Sequence, residues 1–247
     1  MSHIPRLEWK LRQEQSICFG ITPDQRKGIK MELPNYVKNY QRYTKELLQT
    51  HDRKQAMSLA VGGEFDAIGK IEYSILVKYG LQKQHTIVDV GCGSGRLAFQ
   101  LREFLTGEYI GTDVVPDLYE YAQEICGRPD WKFLYVTGLT IPAPDNYADF
   151  VCFFSVFTHL LHEESYKYLK EAKRVIKPGG KIIFSFLEFS NPDHWQHFQG
   201  TLPDDNPDRV RNYFISRDAI QAWAEHLNLQ ILEIVDGGQS VCVLTKT

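Results

Sequence analysis

Glycines at three alternate positions, Gly91, Gly93 and Gly95, follow the apolar run Ile87-Val88-Asp89-Val90 and precede Arg96-Leu97-Ala98-Phe99-Gln100-Leu101. The first run is rich in β-branched residues and the last has helical spacing, so the stretch reads as strand, tight turn, helix. Glycine has no Cβ to keep a ligand off the backbone, and this turn, with Cys92 between its first two glycines, can therefore hold one closely. The spacing is G-x-G-x-G, with Arg96 where the dinucleotide fingerprint has its last glycine. No Gly-Lys-Ser/Thr closes it as a P-loop would. Asp89 sets a carboxylate at the strand end, which suits a cationic or amine-bearing ligand better than a phosphate. Asp113 ends a second predicted strand from Tyr109, roughly 20 residues past the motif, the distance at which a βαβ unit brings an acid beside ribose hydroxyls. A carboxylate there can accept from both hydroxyls; the competing role is that of a plain helix-capping aspartate.

The elements that must position these residues follow from periodicity and punctuation. Tyr36, Val37, Tyr40, Tyr43, Leu47 and Leu48 predict a helix over about Asn35 to Met57, after breaks at Pro5, Pro23 and Pro34. Gly62-Gly63 precedes a second amphipathic helix with Phe65, Ile68, Ile71, Ile75 and Tyr79 on its pattern, ended by Gly80. Beyond Asp113, Pro116 opens a helix running to about Cys126. Trp131 to Val136 reads as a third strand and Phe150 to Ser155 as a fourth, the latter almost continuously apolar, as a parallel strand buried on both faces must be. Glu163 to Ile176 is helical, Lys177-Pro178-Gly179-Gly180 punctuates it, and Lys181 to Phe186 is a fifth strand. Residues 189–213 show no clear periodicity and read as a lid-like connection. Ser216 is placed to cap a further helix, and Leu229 to Val235 with Ser240 to Thr245 form a closing hairpin. Alternating strands and helices imply a doubly wound α/β fold with a mostly parallel seven-stranded sheet, a C-terminal antiparallel hairpin and an N-terminal helical cap. The expected division is a helical extension over residues 1–60 and a ligand-binding domain over 61–247.

In its glycine turn, spaced acid, Pro142-to-Val151 approach to the fourth strand, Lys-Pro-Gly-Gly turn and closing hairpin, the chain from about residue 60 onward resembles the class I S-adenosylmethionine-dependent methyltransferases. A dehydrogenase would share the first two features only. The resemblance implies S-adenosylmethionine as cofactor, with S-adenosylhomocysteine as product. It assigns cofactor contacts to Asp89, Gly91, Cys92, Gly93, Gly95, Asp113, the adjoining Val114, and Ser155 at the end of the fourth strand. Family members often carry an adenine-binding acid after the third strand; Thr137 stands there here, which leaves that task to Gly138 and Leu139. It also implies transfer of a sulfonium methyl group to a nucleophile by in-line displacement.

If the acceptor is a hydroxyl or an acidic carbon, a base belongs nearby. His159, just past the fourth strand, is the first candidate, with His162, Glu188 and His194 behind it; local packing or bonding is the plainer role for His159, and a surface position for His162 and His194. Trp195 and Phe198 are candidates to line an acceptor pocket. The fourth strand ends Phe154-Ser155-Val156-Phe157 and lacks the Asn/Asp-Pro-Pro-Tyr/Phe motif of methyltransferases acting on amino groups of bases or glutamine. The net charge of -3 comes with no basic run, so no nucleic-acid partner is implied. These features favour a small-molecule acceptor, such as a sugar or other hydroxylated compound, and O-directed transfer. Two other classes stay open: an NAD-dependent oxidoreductase and a non-catalytic S-adenosylmethionine-binding module. With no apolar run of membrane-spanning length or signal-peptide core, and five scattered cysteines without C-x-x-C spacing, a cytoplasmic, reduced and metal-free protein is expected.

Overall fold

The computed structural model describes residues 33–203, 206 and 209–247. Cys18 and the breaks at Pro5 and Pro23 lie outside them. Five parallel strands, β1 (Ile87–Val90), β2 (Tyr109–Asp113), β3 (Lys132–Tyr135), β4 (Ala148–Phe153) and β5 (Ile176–Phe186), are followed by β6 (Gln230–Val235) and β7 (Ser240–Thr245). The sheet order is β3-β2-β1-β4-β5-β7-β6, with β7 antiparallel to both its neighbours. This is the doubly wound sheet with a terminal hairpin that the alternation of elements predicts. The order reverses at β1, where β2 lies on one side and β4 on the other, and that is where an open α/β sheet has its binding crevice.

Successive strand residues point to opposite faces, and both faces are covered. Val88, Val151, Phe153, Phe184 and Leu244 belong to one apolar cluster, while Ile87, Phe150, Cys152, Ile183 and Val243 belong to the other. Four cysteines, Cys92, Cys126, Cys152 and Cys242, are buried free thiols.

The helices are α1 (Asn35–Thr50), α2 (Arg53–Ala60), α3 (Phe65–Lys78), α4 (Arg96–Leu101), α5 (Pro116–Cys126), α6 (His162–Val175), α7 (Pro192–Thr201) and α8 (Arg217–His226). The structure departs from the sequence reading at four places. The helix expected over Asn35 to Met57 is two, because Asp52 is extended and its carboxylate accepts from the Gln55 N–H, starting a new helix. The connection 189–213 contains α7, opened by Pro192 at its first position and by the Asn191 side chain, which accepts from the Asp193 and His194 N–H groups. Lys177-Pro178-Gly179-Gly180 lies inside β5 rather than before it, taken up by a register jump against β4 between Ala148 and Phe150. Ser216 is the N-cap of α8, but its hydroxyl makes no capping bond.

One buried carboxylate ties together the carboxyl end of β5, the amino end of β7 and the start of α8. Glu188 is fully buried. Its Oε2 accepts from Arg217 Nε at 2.8 Å and Ser190 Oγ at 2.7 Å, and its Oε1 from Arg217 Nη2 at 2.8 Å and Ser240 Oγ at 2.6 Å. Arg217 also donates to Asp236 in the loop between β6 and β7. The guanidinium and the two hydroxyls hold the Glu188 carboxyl well below the ordinary range, at about 2. Because the folded-state value is depressed, the stabilisation is present above the unfolded carboxylate value and is lost as pH falls towards about 2. Arg217→Gln leaves the buried carboxylate without its cation and should cost about 3 kcal/mol, a melting temperature lower by roughly 6–12 °C. It should also flatten the loss of stability between pH 4.5 and 2, since the anchor is already gone. Asp236→Asn, on the exposed side of the same guanidinium, should cost no more than about 1 kcal/mol. Thermal unfolding of both variants across that pH range checks the contrast.

Candidate functional site

A cavity of about 940 Å³ opens at the carboxyl ends of β1, β2 and β4 and is lined by the glycine turn. Asp89, Gly91, Cys92, Gly93, Asp113 and Val114 all contribute to its wall, and so do Ser155 and His159. Gly95, Gly138 and Leu139 do not. Val136 and Tyr168 line the part of the wall near β3, and the Tyr168 hydroxyl donates to the Gly138 carbonyl at 3.1 Å.

The motif glycines are required for different reasons. Gly93 has a left-handed φ of +54°, and its N–H donates to Asp113 Oδ2 at 2.9 Å. At Gly91 a Cβ would stand 2.5 Å from Val156 Cγ2, so the segment after β4 could not pass. Gly95 faces α5 instead of the cavity: a Cβ there would lie 2.7 Å from Ala122 Cβ and 3.1 Å from Ala122 Cα. Its role is close helix packing.

Asp113 is buried, and both of its oxygens are used. Oδ1 accepts from the Val115 N–H at 2.8 Å while Oδ2 holds Gly93. The carboxylate thus caps the turn into α5 and braces the glycine turn at once, and each oxygen keeps a second lone pair on the cavity's wall. Burial pushes its pKa up to about 6, against the backbone N–H groups that favour the anion. Asp89, held by the Tyr109 hydroxyl at 2.7 Å, is pushed by burial to about 7. Glu72 on α3 is likewise raised by burial to about 7, although Arg96 Nη2 lies 2.9 Å from its Oε1. Arg96 also donates to the Val61 carbonyl at 2.7 Å, fixing the α2–α3 loop beside the turn. Three carboxyl groups with elevated pKa values around one turn make a place for a ligand that brings positive charge and hydroxyl donors.

Helix α1 lies against this site. Gln41 Nε2 donates to the Val114 carbonyl at 2.8 Å, the Tyr36 hydroxyl to the Thr137 carbonyl at 3.4 Å, and the Tyr40 ring packs edge-on against His159, centroids 5.1 Å apart. None of these three residues was singled out for the site from sequence, where helical spacing alone marked the two tyrosines. The signal available was residue type: Tyr36 and Tyr40, with Tyr43, put three hydroxyls on one amphipathic stripe.

The histidines separate by their partners. His159 Nδ1 is 2.9 Å from the Arg211 carbonyl, so that nitrogen carries the proton and Nε2 keeps its lone pair. Burial lowers the His159 pKa, favouring the neutral ring. In His194, Nδ1 accepts from the Glu188 N–H at 3.1 Å and Nε2 donates to the Gly237 carbonyl at 3.1 Å, so no nitrogen is left for proton transfer. His162 Nε2 is 3.0 Å from the Phe214 carbonyl, and the His162 ring packs edge-on against Trp223, outside the cavity wall. Glu188 is saturated by Arg217 and two serines. Trp195 and Phe198 pack on Phe189 and do not line the cavity. Among the described residues no cluster of histidine, cysteine or acidic side chains could hold a metal ion, and no helix is long and apolar enough to cross a membrane.

Since the Gly95 backbone is left-handed, with φ of +88°, and Ala122 fills the space a side chain would need, Gly95→Ala should destabilise by about 2–4 kcal/mol. Chemical denaturation measures it; a cost below about 1 kcal/mol would contradict the packing role.

Residues 88–184 match the methyltransferase domain family. The chain is 28% identical to a sterol 24-C-methyltransferase of Pneumocystis carinii over 54% of this chain and 38% of that protein. It is 27% identical to the ubiquinone/menaquinone biosynthesis C-methyltransferase of Francisella tularensis over 47% of this chain and 48% of that one. The matched stretch thus spans less than half of each of these relatives. In fold, it is similar to magnesium protoporphyrin IX methyltransferase from Synechocystis, a structure with bound S-adenosylhomocysteine, with a TM-score of 0.60 at 16% identity, covering 78% of this chain and 87% of that one. A methyltransferase from Aquifex aeolicus gives a TM-score of 0.54 at 23% identity, covering 74% and 94%. The sheet order and the match over residues 88–184 agree: that stretch matches a methyltransferase domain, and the chain has the fold of the solved S-adenosylmethionine-dependent methyltransferases.

Proposed function

We propose that this protein transfers the methyl group of S-adenosylmethionine to an oxygen of a hydroxylated small molecule. The observation that carries the reading is the Asp113 carboxylate, buried in the cavity wall and bonded to the Gly93 N–H, with lone pairs left for a ribose. The residues suit the cofactor: the bare Gly91–Gly93 backbone makes a cradle, and Asp89 and Glu72 complement an amine. Val114 and Val136 are apolar wall on the side where an adenine would lie. When bound, S-adenosylmethionine supplies an electrophilic methyl on a sulfonium centre.

The chain's own part is orientation, exclusion of water and removal of a proton. Tyr36 and Tyr40 on α1 line the cavity and supply part of its cover. His159 is the proposed base: its Nδ1–H is tied to the Arg211 carbonyl and its Nε2 is free to take the acceptor's proton as the methyl arrives. A neutral ring at pH 7 is the form this requires, and burial favours it. The relatives named as sterol and quinone C-methyltransferases motivate a second acceptor atom, an acidic carbon, which the same base would serve.

Two measurements test the reading. Asp113→Ala and Gly93→Val should each weaken S-adenosylhomocysteine binding by at least tenfold in calorimetry, in proteins whose circular dichroism is unchanged; wild-type affinity in both, or a thermal shift with NAD in place of S-adenosylhomocysteine, would refute it. On an acceptor found by screening metabolites for a mass gain of one methylene, His159→Ala should lower kcat by roughly 10²–10⁴. Undiminished turnover would remove His159 from the chemistry, and the methylated atom in the product, read by NMR, decides between oxygen and carbon. Stoichiometric binding with no transfer to any acceptor would favour a binding module.

A further inference from the structure

The cavity continues past the cofactor half along a face of α3 that the methyl-transfer reading does not use. Ile68, Ile71, Ile75 and Tyr79 recur every three or four residues, so they share one side of the helix, and all line the cavity. Across from them stand Val235 and Val241, which face each other across the β6–β7 hairpin. Two of these are unusually open for apolar side chains, Ile71 at 54% and Val235 at 37% exposed. At the outer end Lys78 Nζ reaches Glu233 Oε2 at 2.7 Å and the Tyr79 hydroxyl donates to the same oxygen, bridging helix to hairpin. From Ile68 to Lys78 the helix runs about 15 Å.

The inner end is polar and built. Gln239 Oε1 accepts from Ser185 Oγ at 2.6 Å and from Ser155 Oγ at 3.2 Å, and Ser185 Oγ in turn accepts from the Ser155 N–H at 2.7 Å. Ser155 is held in a left-handed conformation, with φ of +58°, at the residue next to Val156, against which Gly91 packs. The amide oxygen of Gln239 is thereby committed to the two serines, and its N–H groups are the donors this cluster offers to a ligand.

We infer that this groove is an acceptor subsite for an amphipathic molecule: a hydroxyl or carbonyl oxygen meets the Gln239 amide beside Ser155, and an unbranched aliphatic chain lies between α3 and the hairpin. The inference rests on the methyl-transfer reading for the word acceptor, but the groove's ligand chemistry stands on its own walls. A wholly polar ligand would leave Ile68, Ile71 and Ile75 facing water, whereas an aliphatic chain removes them from it. The Glu233 bridge bounds the groove at its outer end, which sets a limit on chain length.

The test uses the full chain and the fluorescent fatty-acid analogue 11-(dansylamino)undecanoic acid as probe, with S-adenosylhomocysteine affinity measured separately by calorimetry. The probe should bind with blue-shifted emission and be displaced by 1-dodecanol. Ile71→Glu combined with Val235→Glu, both at exposed positions, should weaken probe binding at least tenfold and leave S-adenosylhomocysteine affinity within twofold. Gln239→Leu should lower the affinity of 1-dodecanol at least fivefold. Wild-type probe affinity in the double variant, or failure of 1-dodecanol to displace the probe, would overturn the subsite. Loss of S-adenosylhomocysteine binding by the wild-type chain with probe binding intact would overturn the methyl-donor reading and uphold the groove.

Discussion

The arrangement of the site depends on one carboxylate. Asp113 ends β2 and accepts from the Gly93 N–H with one oxygen and from the Val115 N–H with the other, so two turns that are 20 residues apart become one rigid wall. Parallel pairing of β1 with β2, Val90 opposite Thr112, is what brings them within reach. The glycine turn has few side chains of its own to fix it, and the buried anion substitutes for them. Because the partners are neutral N–H groups, burial wins and the Asp113 pKa stands at about 6.

A second carboxylate does comparable work further along the sheet under opposite electrostatics. Glu188 is as deeply buried, yet its partners include a guanidinium, and its pKa falls to about 2. The contrast divides the carboxyl edge of the sheet. Around β1 and β2 lie carboxyl groups poised to respond to an arriving cation; at β5 and β7 lies an ion pair whose charge does not change near neutral pH. The first half suits binding, and the second holds the hairpin whose loop carries Gln239 into the cavity wall.

The same frame explains why the candidate bases sort as they do. His162, His194 and Glu188 are near the site in sequence, but their polar atoms are spent on Phe214, Gly237 and Arg217. His159 spends only Nδ1, on the Arg211 carbonyl, and that bond assigns its tautomer. One cavity wall thus includes His159 and α1 as well as the face of α3 and the β6–β7 hairpin.

Sequence by itself determined the sheet, its connections and the binding turn, because these rest on local signals: short, nearly continuous apolar runs, helix punctuation, and glycines with an acid one βαβ unit away. It did not separate the glycines, since whether a missing Cβ serves a ligand or a neighbouring helix depends on Ala122 and Val156, which approach only in the folded chain. It ran α1 and α2 together because no proline or glycine stands between Leu48 and Met57, and the break is made by one capping carboxylate, Asp52. It passed over α7, whose Asn-Pro start was readable but whose apolar face is weak. Tertiary structure alone decided which histidine keeps a lone pair, that Tyr40 rests against it, and that α3 and the hairpin enclose a groove. Each of those depends on contacts between residues far apart in the chain, whose partners no local pattern names.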